Sequence, residues 1–228
     1  MMGGVGNRFG AQLPKQYTII DGRPLFIYIV ERLARQPYLD GIVIVATPSF
    51  IEYVQNVVKE SSACTKIIAV VSGGESRSVS VLNGLKALSS IATRDDVVLI
   101  HDATHPYVDE SGTLKVAELA SKYGAATLAS LNYDTTYLMD DQNNVTQVIP
   151  RRNVIAGASP EGFRFGPIYD IYSNASSEIM EAMTSAGAIA LSNNIPMKVV
   201  PTNVLNLKIT YPGDMDLFLK LHKGYFFQ

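Results

Sequence analysis

Gly41-Ile42-Val43-Ile44-Val45-Ala46 is a compact apolar run, and Lys66-Ile67-Ile68-Ala69-Val70-Val71 and Asp96-Val97-Val98-Leu99-Ile100 repeat the pattern further along the chain. Such runs mark strands buried on both faces of a parallel sheet. Between and around them, Pro24 to Arg35 and Phe50 to Lys59 carry helical apolar spacing, which Ser78 to Leu88 repeats with Val79, Leu82 and Leu85. Strand and helix alternate at lengths suited to right-handed crossover units. The pattern predicts an α/β fold, a mostly parallel twisted sheet with helices on both faces.

A second set extends it. Ser111 to Lys122 reads as a helix, Ala125 to Leu131 as a strand, Ile168 to Ala186 as one or two helices, and Met197 to Pro201 as a short strand. Pro212 to Lys223 reads as a last helix, with Pro212 near its first turn and Asp214 and Asp216 near its positive end. Asn132 to Asn153 breaks the rhythm: the turn-like Asp140-Asp141-Gln142-Asn143-Asn144 lies between Thr135 to Met139 and Val145 to Ile149. That is a hairpin signal, read as a β-arm over about 132–153 that projects from the sheet. It serves oligomerisation, covers a site, or is an ordinary surface hairpin.

At 228 residues and 47% hydrophobic, the chain suits one domain over 1–228 with a substantial core. Nineteen basic and 21 acidic side chains leave a formal charge of −2 without a lysine-rich block, so extended nucleic acid is not an expected ligand. Cys64 is the only cysteine, which excludes a disulfide framework and a four-cysteine zinc site and fits a reducing cytoplasm. No apolar run approaches the roughly 18 residues of a membrane helix, and no membrane partner is expected.

Gly3-Gly4-Val5-Gly6-Asn7-Arg8-Phe9-Gly10, followed by Pro14-Lys15-Gln16, places a glycine-rich turn beside two cations. It is a flexible surface turn or a backbone cradle for a phosphate, with Arg8 and Lys15 holding negative charge. It lacks the terminal Gly-Lys-Ser/Thr of a Walker loop and the distant acid of a dinucleotide fold. A doubly wound fold ordinarily has an apolar first strand before such a turn, so that strand is either shortened or precedes these residues. His101-Asp102-Ala103-Thr104-His105-Pro106 follows a buried run, which puts Asp102 at the carboxyl end of a central strand, where ligands of open α/β sheets collect. Asp102 there is a Mg²⁺ ligand against phosphate oxygens, a strand-end cap or a solvent carboxylate.

The glycine-rich segment through Pro14-Lys15-Gln16-Tyr17, Gly73-Gly74-Glu75-Ser76-Arg77-Ser78-Val79-Ser80-Val81, His101-Asp102-Ala103 and Asn206-Leu207-Lys208-Ile209-Thr210-Tyr211-Pro212 stand in order along the chain. Together they resemble the 2-C-methyl-D-erythritol 4-phosphate cytidylyltransferase family and its relatives, the ribitol-5-phosphate cytidylyltransferases. The resemblance covers nearly the whole chain. It implies a nucleotide-diphospho-sugar transferase-like fold, CTP as co-substrate, Mg²⁺ as cofactor, and a homodimer joined through the projecting arm. It implies that Arg8 and Lys15 bind the triphosphate and stabilise charge at the α phosphate, that Gly3, Gly4 and Gly6 form the backbone cradle, and that Gly74, Arg77 and Ser80 support cytosine and nucleotide. Asp102 matches the magnesium-side carboxylate and Lys208 a late lysine near the phosphates. The implied chemistry is direct attack of the acceptor phosphate on the α phosphorus, so positioning and charge stabilisation outweigh proton abstraction.

The acceptor side departs from the family pattern. His105 stands where the erythritol-phosphate enzymes commonly have Arg, Thr184-Ser185-Ala186-Gly187 replaces a stretch with an acidic residue, and Leu205 replaces an Asp. Arginine and histidine are not equivalent phosphate partners. Thr135 and Arg151 approximate the arm positions that contact acceptor in relatives. The expectation is therefore a CTP-dependent transferase acting on a polyol or sugar phosphate such as D-ribitol 5-phosphate, with 2-C-methyl-D-erythritol 4-phosphate as the alternative acceptor. A catalytically silent CTP-binding or scaffold protein is the alternative from another class.

Overall fold

A computed structural model describes residues 1–3, 13–182 and 185–226. A short ribbon, β1 (Ile19–Ile20) and β2 (Arg23–Pro24), leads into α1 (Leu25–Ala34). The predicted alternation follows as β3 (Ile42–Ala46), α2 (Ile51–Lys59), β4 (Ile67–Ser72), α3 (Arg77–Leu88), β5 (Val97–Ile100), α4 (Glu110–Tyr123) and β6 (Ala125–Leu131). The arm is β7 (Thr136–Met139) and β8 (Val145–Ile149), after which β9 (Ile155–Arg164) returns to the sheet. Helices α5 (Phe165–Asn174), α6 (Ser177–Ala182) and α7 (Ala186–Ser192), strand β10 (Met197–Pro201), and helices α8 (Pro212–Leu221) and α9 (Lys223–Phe226) complete the chain order.

The α/β class holds, and its central strands are mixed in direction and fall into a four-stranded sheet in the order β10-β6-β9-β5 and a β3-β4 pair. Strands β3 and β4 pair in parallel, as do β6 and β10, whereas β9 runs antiparallel between β5 and β6. The reason is the arm. A chain that leaves β6, turns through a hairpin and comes straight back must pair antiparallel, because a parallel neighbour needs a crossover. Strand β9 was not legible as a strand, since Gly157, Pro160 and Gly162 all weaken such a reading. Its pairing with β6 shifts register between Thr127 and Ala129, and Pro160 is accommodated in that irregularity.

Both faces of the sheet are packed. Neighbouring residues on a strand point to opposite faces. Ala125 accordingly belongs to a core with Ile100, Phe163, Val81, Ile168 and Ile189, and Ala126 and Leu128 to one with Val116, Ala120 and Val200. A third core gathers Phe26, Ile44, Val54 and Phe218. Helix starts follow from capping. The Ser76 hydroxyl accepts from Val79 N–H at α3, and the Asp109 carboxylate accepts from Gly112 N–H at 2.8 Å at α4, which stops at Gly124 with φ of 102°. In the last long helix Asp214 accepts from the N–H groups of Thr210 and Tyr211, both at 2.8 Å, so its place near the positive end is as read.

The first two residues lie between β3 and β5. Met2 N–H donates to Val45 O at 2.8 Å, and Met1 O accepts from Ala103 N–H at 2.9 Å. A parallel bridge joins Met2 to Ala46. The carboxyl ends of β3, β4 and β5 therefore face one side, together with Gly3.

Candidate active site

Three segments meet at those strand ends. After β4 the chain turns through Gly73 and Gly74 into α3, and the turn lies against Gly3. A Cβ on Gly73 would stand 2.7 Å from the Gly3 Cα, and one on Gly74 would stand 2.2 Å from Val79 Cγ1, so both positions need glycine for close approach. The Ser80 hydroxyl accepts from Gly74 N–H at 3.0 Å and holds the turn from the first helical turn below it.

Arg77 leads α3 and reaches across to β5 and β9. Its Nη2 stands 3.2 Å from Asp102 Oδ1 and 3.5 Å from Glu161 Oε2. From the loop after β10, Lys208 Nζ stands 3.3 Å from the other Asp102 oxygen. Asp102 is thus a carboxylate, 14% exposed, held between two cations, whereas the Lys208 side chain is 51% exposed. Burial pushes the Asp102 carboxyl up, but Arg77, then Lys208 and the Met1 amine, outweigh it and hold Asp102 well below the usual carboxylate range. Burial likewise opposes the charge on Arg77, and Asp102 and Glu161 overcome it and raise the guanidinium. Removing one partner of such a buried pair ordinarily costs about 3–5 kcal/mol.

Lys15 begins a short turn, Lys15–Tyr17, whose Gln16 side chain donates to Met2 O at 3.0 Å. Asp214 is held low by the N–H groups of Tyr211 and Thr210, and Lys15 contributes further, which sets Lys15 beside the start of α8. The structure therefore gathers Gly3, Gly74, Arg77, Ser80, Asp102 and Lys208 at the strand ends, with Lys15 at their margin. Gly4, Gly6 and Arg8 lie outside the described residues.

His105 is close by but is not an exposed cation. Its backbone N–H donates to Asp102 O at 3.0 Å, its Nδ1 is 3.0 Å from Ser159 Oγ, and its carbonyl meets His101 Nε2 at 3.1 Å. Burial pushes both imidazoles down to about 4. Ser185, where the family carries an acid nearby, caps α7 by accepting from Ala188 N–H at 3.0 Å. Thr135 and Arg151 are exposed on the arm, and Arg151 donates to Tyr133 O at 3.2 Å. Among the described contacts neither touches Arg77, Asp102 or Lys208.

Three participants were given no role by the sequence reading, and all meet β9. Glu161 lies opposite Ile100, pairs with Arg77 and accepts from Gly187 N–H at 2.9 Å. Ser159 joins His105 to the backbone of Asp102. Asn206 donates to Ser130 Oγ and to the carbonyls of Ala156 and Gly157, fixing the Lys208 loop to the base of the arm. Asn206 lay within a motif that was read; Ser159 and Glu161 gave no signal without the strand.

No described helix is long and apolar enough to cross a membrane. A mixed α/β sheet with a glycine turn, two cations and one carboxylate at its strand ends suits a nucleotidyltransferase, and the family match gives that class. The pattern of the 2-C-methyl-D-erythritol 4-phosphate cytidylyltransferase family matches residues 1–219, and the chain belongs to that family. A 2-C-methyl-D-erythritol 4-phosphate cytidylyltransferase from Syntrophus aciditrophicus is 32% identical over 97% of this chain and 94% of its own. A ribitol-5-phosphate cytidylyltransferase from Streptococcus agalactiae is 29% identical over 96% and 92%. The crystal structure of 4-diphosphocytidyl-2C-methyl-D-erythritol synthase from Anaerococcus prevotii covers 91% of this chain and 93% of its own at a TM-score of 0.80 and 24% identity, and shares the fold.

The buried histidines give the protein an acid-sensitive stability. In the folded state they stay neutral down to about pH 4, whereas unfolded histidine takes up a proton near 6.5. The unfolded chain then binds more protons, so this contribution is complete above pH 6.5 and is lost as pH falls toward 4. The Met1 amine, pushed down to about 6 by burial, acts in the same direction between pH 8 and 6. Thermal midpoints in metal-free, nucleotide-free buffer are expected to fall from pH 7 to pH 4.5, less steeply in His105→Gln; a flat profile would refute the assignment.

Proposed function

We propose that this chain transfers a cytidylyl group from CTP to the phosphate of a small polyol in a Mg²⁺-dependent reaction that releases pyrophosphate, with D-ribitol 5-phosphate as the preferred acceptor. The observation that carries this reading is the line Arg77, Asp102, Lys208 beside the Gly3, Gly74 and Ser80 turn. Fixed cations beside a glycine turn suit a triphosphate. In the reaction, an acceptor phosphate oxygen bonds to the α phosphorus as the bond to the bridging oxygen breaks, and pyrophosphate leaves with that electron pair. The acceptor is already anionic at neutral pH, so no protein nucleophile or base is needed. What the chain supplies is alignment and positive charge where negative charge builds. Lys208 and Lys15 fit that role, and Arg8 joins them on the strength of the family resemblance.

Among the described residues no cluster of three or more His, Cys, Asp or Glu could hold a metal alone. One buried carboxylate suits Mg²⁺, which keeps waters and binds through one or two carboxylates together with substrate phosphates. Asp102 would hold the ion, which would neutralise triphosphate charge when bound.

The acceptor preference rests on the departures from the erythritol-phosphate pattern. His105 is a neutral ring tied to Ser159, Ser185 is spent as a helix cap, and Leu205 is an exposed apolar residue in place of an acid. A ribitol-5-phosphate cytidylyltransferase aligned along 96% of the chain supports the choice. The second reading, 2-C-methyl-D-erythritol 4-phosphate, is supported by the family match and by the relative at 32% identity. Pyrophosphate release with Mg²⁺ and CTP separates them. Selective turnover of D-ribitol 5-phosphate is expected, selective turnover of the erythritol phosphate would establish the second reading, and failure with all polyol phosphates despite CTP binding would refute transfer. In the same assay Lys208→Ala is expected to lower kcat/KM by about 10²–10³ with little change in Tm.

The arm completes the proposal. Tyr133 is 73% and Met139 69% exposed, and Tyr137, Val145 and Val148 extend the apolar surface of this thin ribbon. Contiguous exposure of this kind marks an interaction site. A second copy would cover it in a homodimer and bring Thr135 and Arg151 to the neighbouring acceptor pocket. Sedimentation at micromolar concentration is expected to give twice the chain mass; a monomer throughout that range would defeat the constitutive dimer.

A further inference from the structure

The transfer proposed above uses Asp102 and leaves Glu161 without a part. Glu161 lies opposite Ile100 on β5 and Thr127 on β6, and it shares a face of β9 with Phe163, two residues on. That face is covered by a core that includes Val81, Ile168, Tyr172 and Ile189. A carboxylate at the margin of an apolar core is unfavourable unless its oxygens find partners. Both do. Oε1 accepts from Gly187 N–H at 2.9 Å, and Oε2 stands 3.5 Å from Arg77 Nη2.

Two neighbours are fitted to this carboxylate. A Cβ on Gly187 would stand 2.7 Å from Oε1 and 3.0 Å from Met197 Sδ, so the start of α7 comes this near only as glycine. The Tyr172 hydroxyl of α5 is buried, has no hydrogen-bond partner among the described residues, and lies within the field of both Arg77 and Glu161. Arg77 Nη2 is shared between acids on two strands, 3.2 Å from Asp102 Oδ1 and 3.5 Å from Glu161 Oε2. Asp102 also meets Lys208, whereas Glu161 meets no other cation among the described ion pairs. Asp102 is divided between two cations, and Glu161 serves Arg77 alone. We propose that Glu161 is the positioning residue of Arg77: anchored on the α7 backbone through Gly187, it holds the guanidinium at the strand ends and leaves Asp102 open to its other partners. A buried ion pair adds little net stability over a well-packed apolar replacement, so what Glu161 supplies is orientation. The link to turnover rests on the CTP reading above; the position of Arg77 does not.

Guanidinium spectra of the chain carrying isotope-labelled arginine, recorded without nucleotide, test that position, with the Arg77 signal assigned by its loss in Arg77→Lys. Charge-assisted contacts to carboxylates hold a guanidinium in one geometry and slow its rotation about the Nε–Cζ bond. Glu161→Gln keeps an acceptor for Gly187 and removes the charge, whereas Gly187→Ala keeps the charge and crowds its anchor. Each is expected to speed the rotation about fivefold or more, with the Tm of Glu161→Gln within about 2 °C of the unsubstituted chain. In turnover Glu161→Gln is expected to raise KM for CTP about fivefold with kcat within about twofold, as loss of binding rather than of chemistry requires. Gly187→Ala placed in Glu161→Ala is expected to add nothing further to KM, because the two act through one contact. Rotation of Arg77 unchanged in Glu161→Gln, or already fast in the unsubstituted chain, would overturn the proposal. A fall in Tm with Arg77 unmoved would make Glu161 purely structural and overturn it as well. A chain that releases no pyrophosphate from CTP refutes the proposed function, while the spectra still decide the position of Arg77.

Discussion

A carboxylate removed from water must be compensated, and the compensation of Asp102 organises the active end of this protein. Arg77 comes from the start of α3, Lys208 from the loop after β10, and Asp102 from the end of β5. Three segments far apart in sequence are drawn together by one negative charge. Glu161 gives Arg77 a second partner and extends the network to β9 and the start of α7. The arrangement leaves Lys208 half in solvent while one of its contacts is with the largely buried Asp102.

The fold was legible where local chemistry and tertiary environment agreed. Apolar runs at Ile42–Ala46, Ile67–Ser72 and Val97–Ile100 lie in the strands that their composition requires, and the Ala125–Leu131 and Met197–Pro201 strands have the boundaries read from sequence. The arm was legible because a cluster of Asp and Asn between two short runs has few other uses: Asp140 accepts from the N–H groups of Gln142 and Asn144, and Asn143 adopts φ of 65°. Strand β9 was hidden because it follows the arm, contains Gly and Pro, and owes its extended form to two neighbours. The sheet's mixed direction was hidden with it.

At the site, sequence motifs named residues but not their connections. Gly74 and Ser80 belong to one motif, and their hydrogen bond follows from a glycine turn entering a helix. Nothing local announces that His105 is neutral, since that depends on burial and on Ser159 from another strand. Placing His105 where relatives commonly have Arg says nothing of whether the ring is exposed, and it is buried. The buried ring is better described as a prop beneath Asp102, whose backbone N–H and C=O meet Ser159 and His105 respectively.

Asn206 has a mechanical consequence. Its side-chain amide grips Ser130, Ala156 and Gly157, where β6 and β9 diverge into the arm, and it stands two residues before Lys208. The grip ties the base of the arm to the loop that holds Lys208 against Asp102. The base of the arm and the loop that carries Lys208 are thereby held by one shared amide.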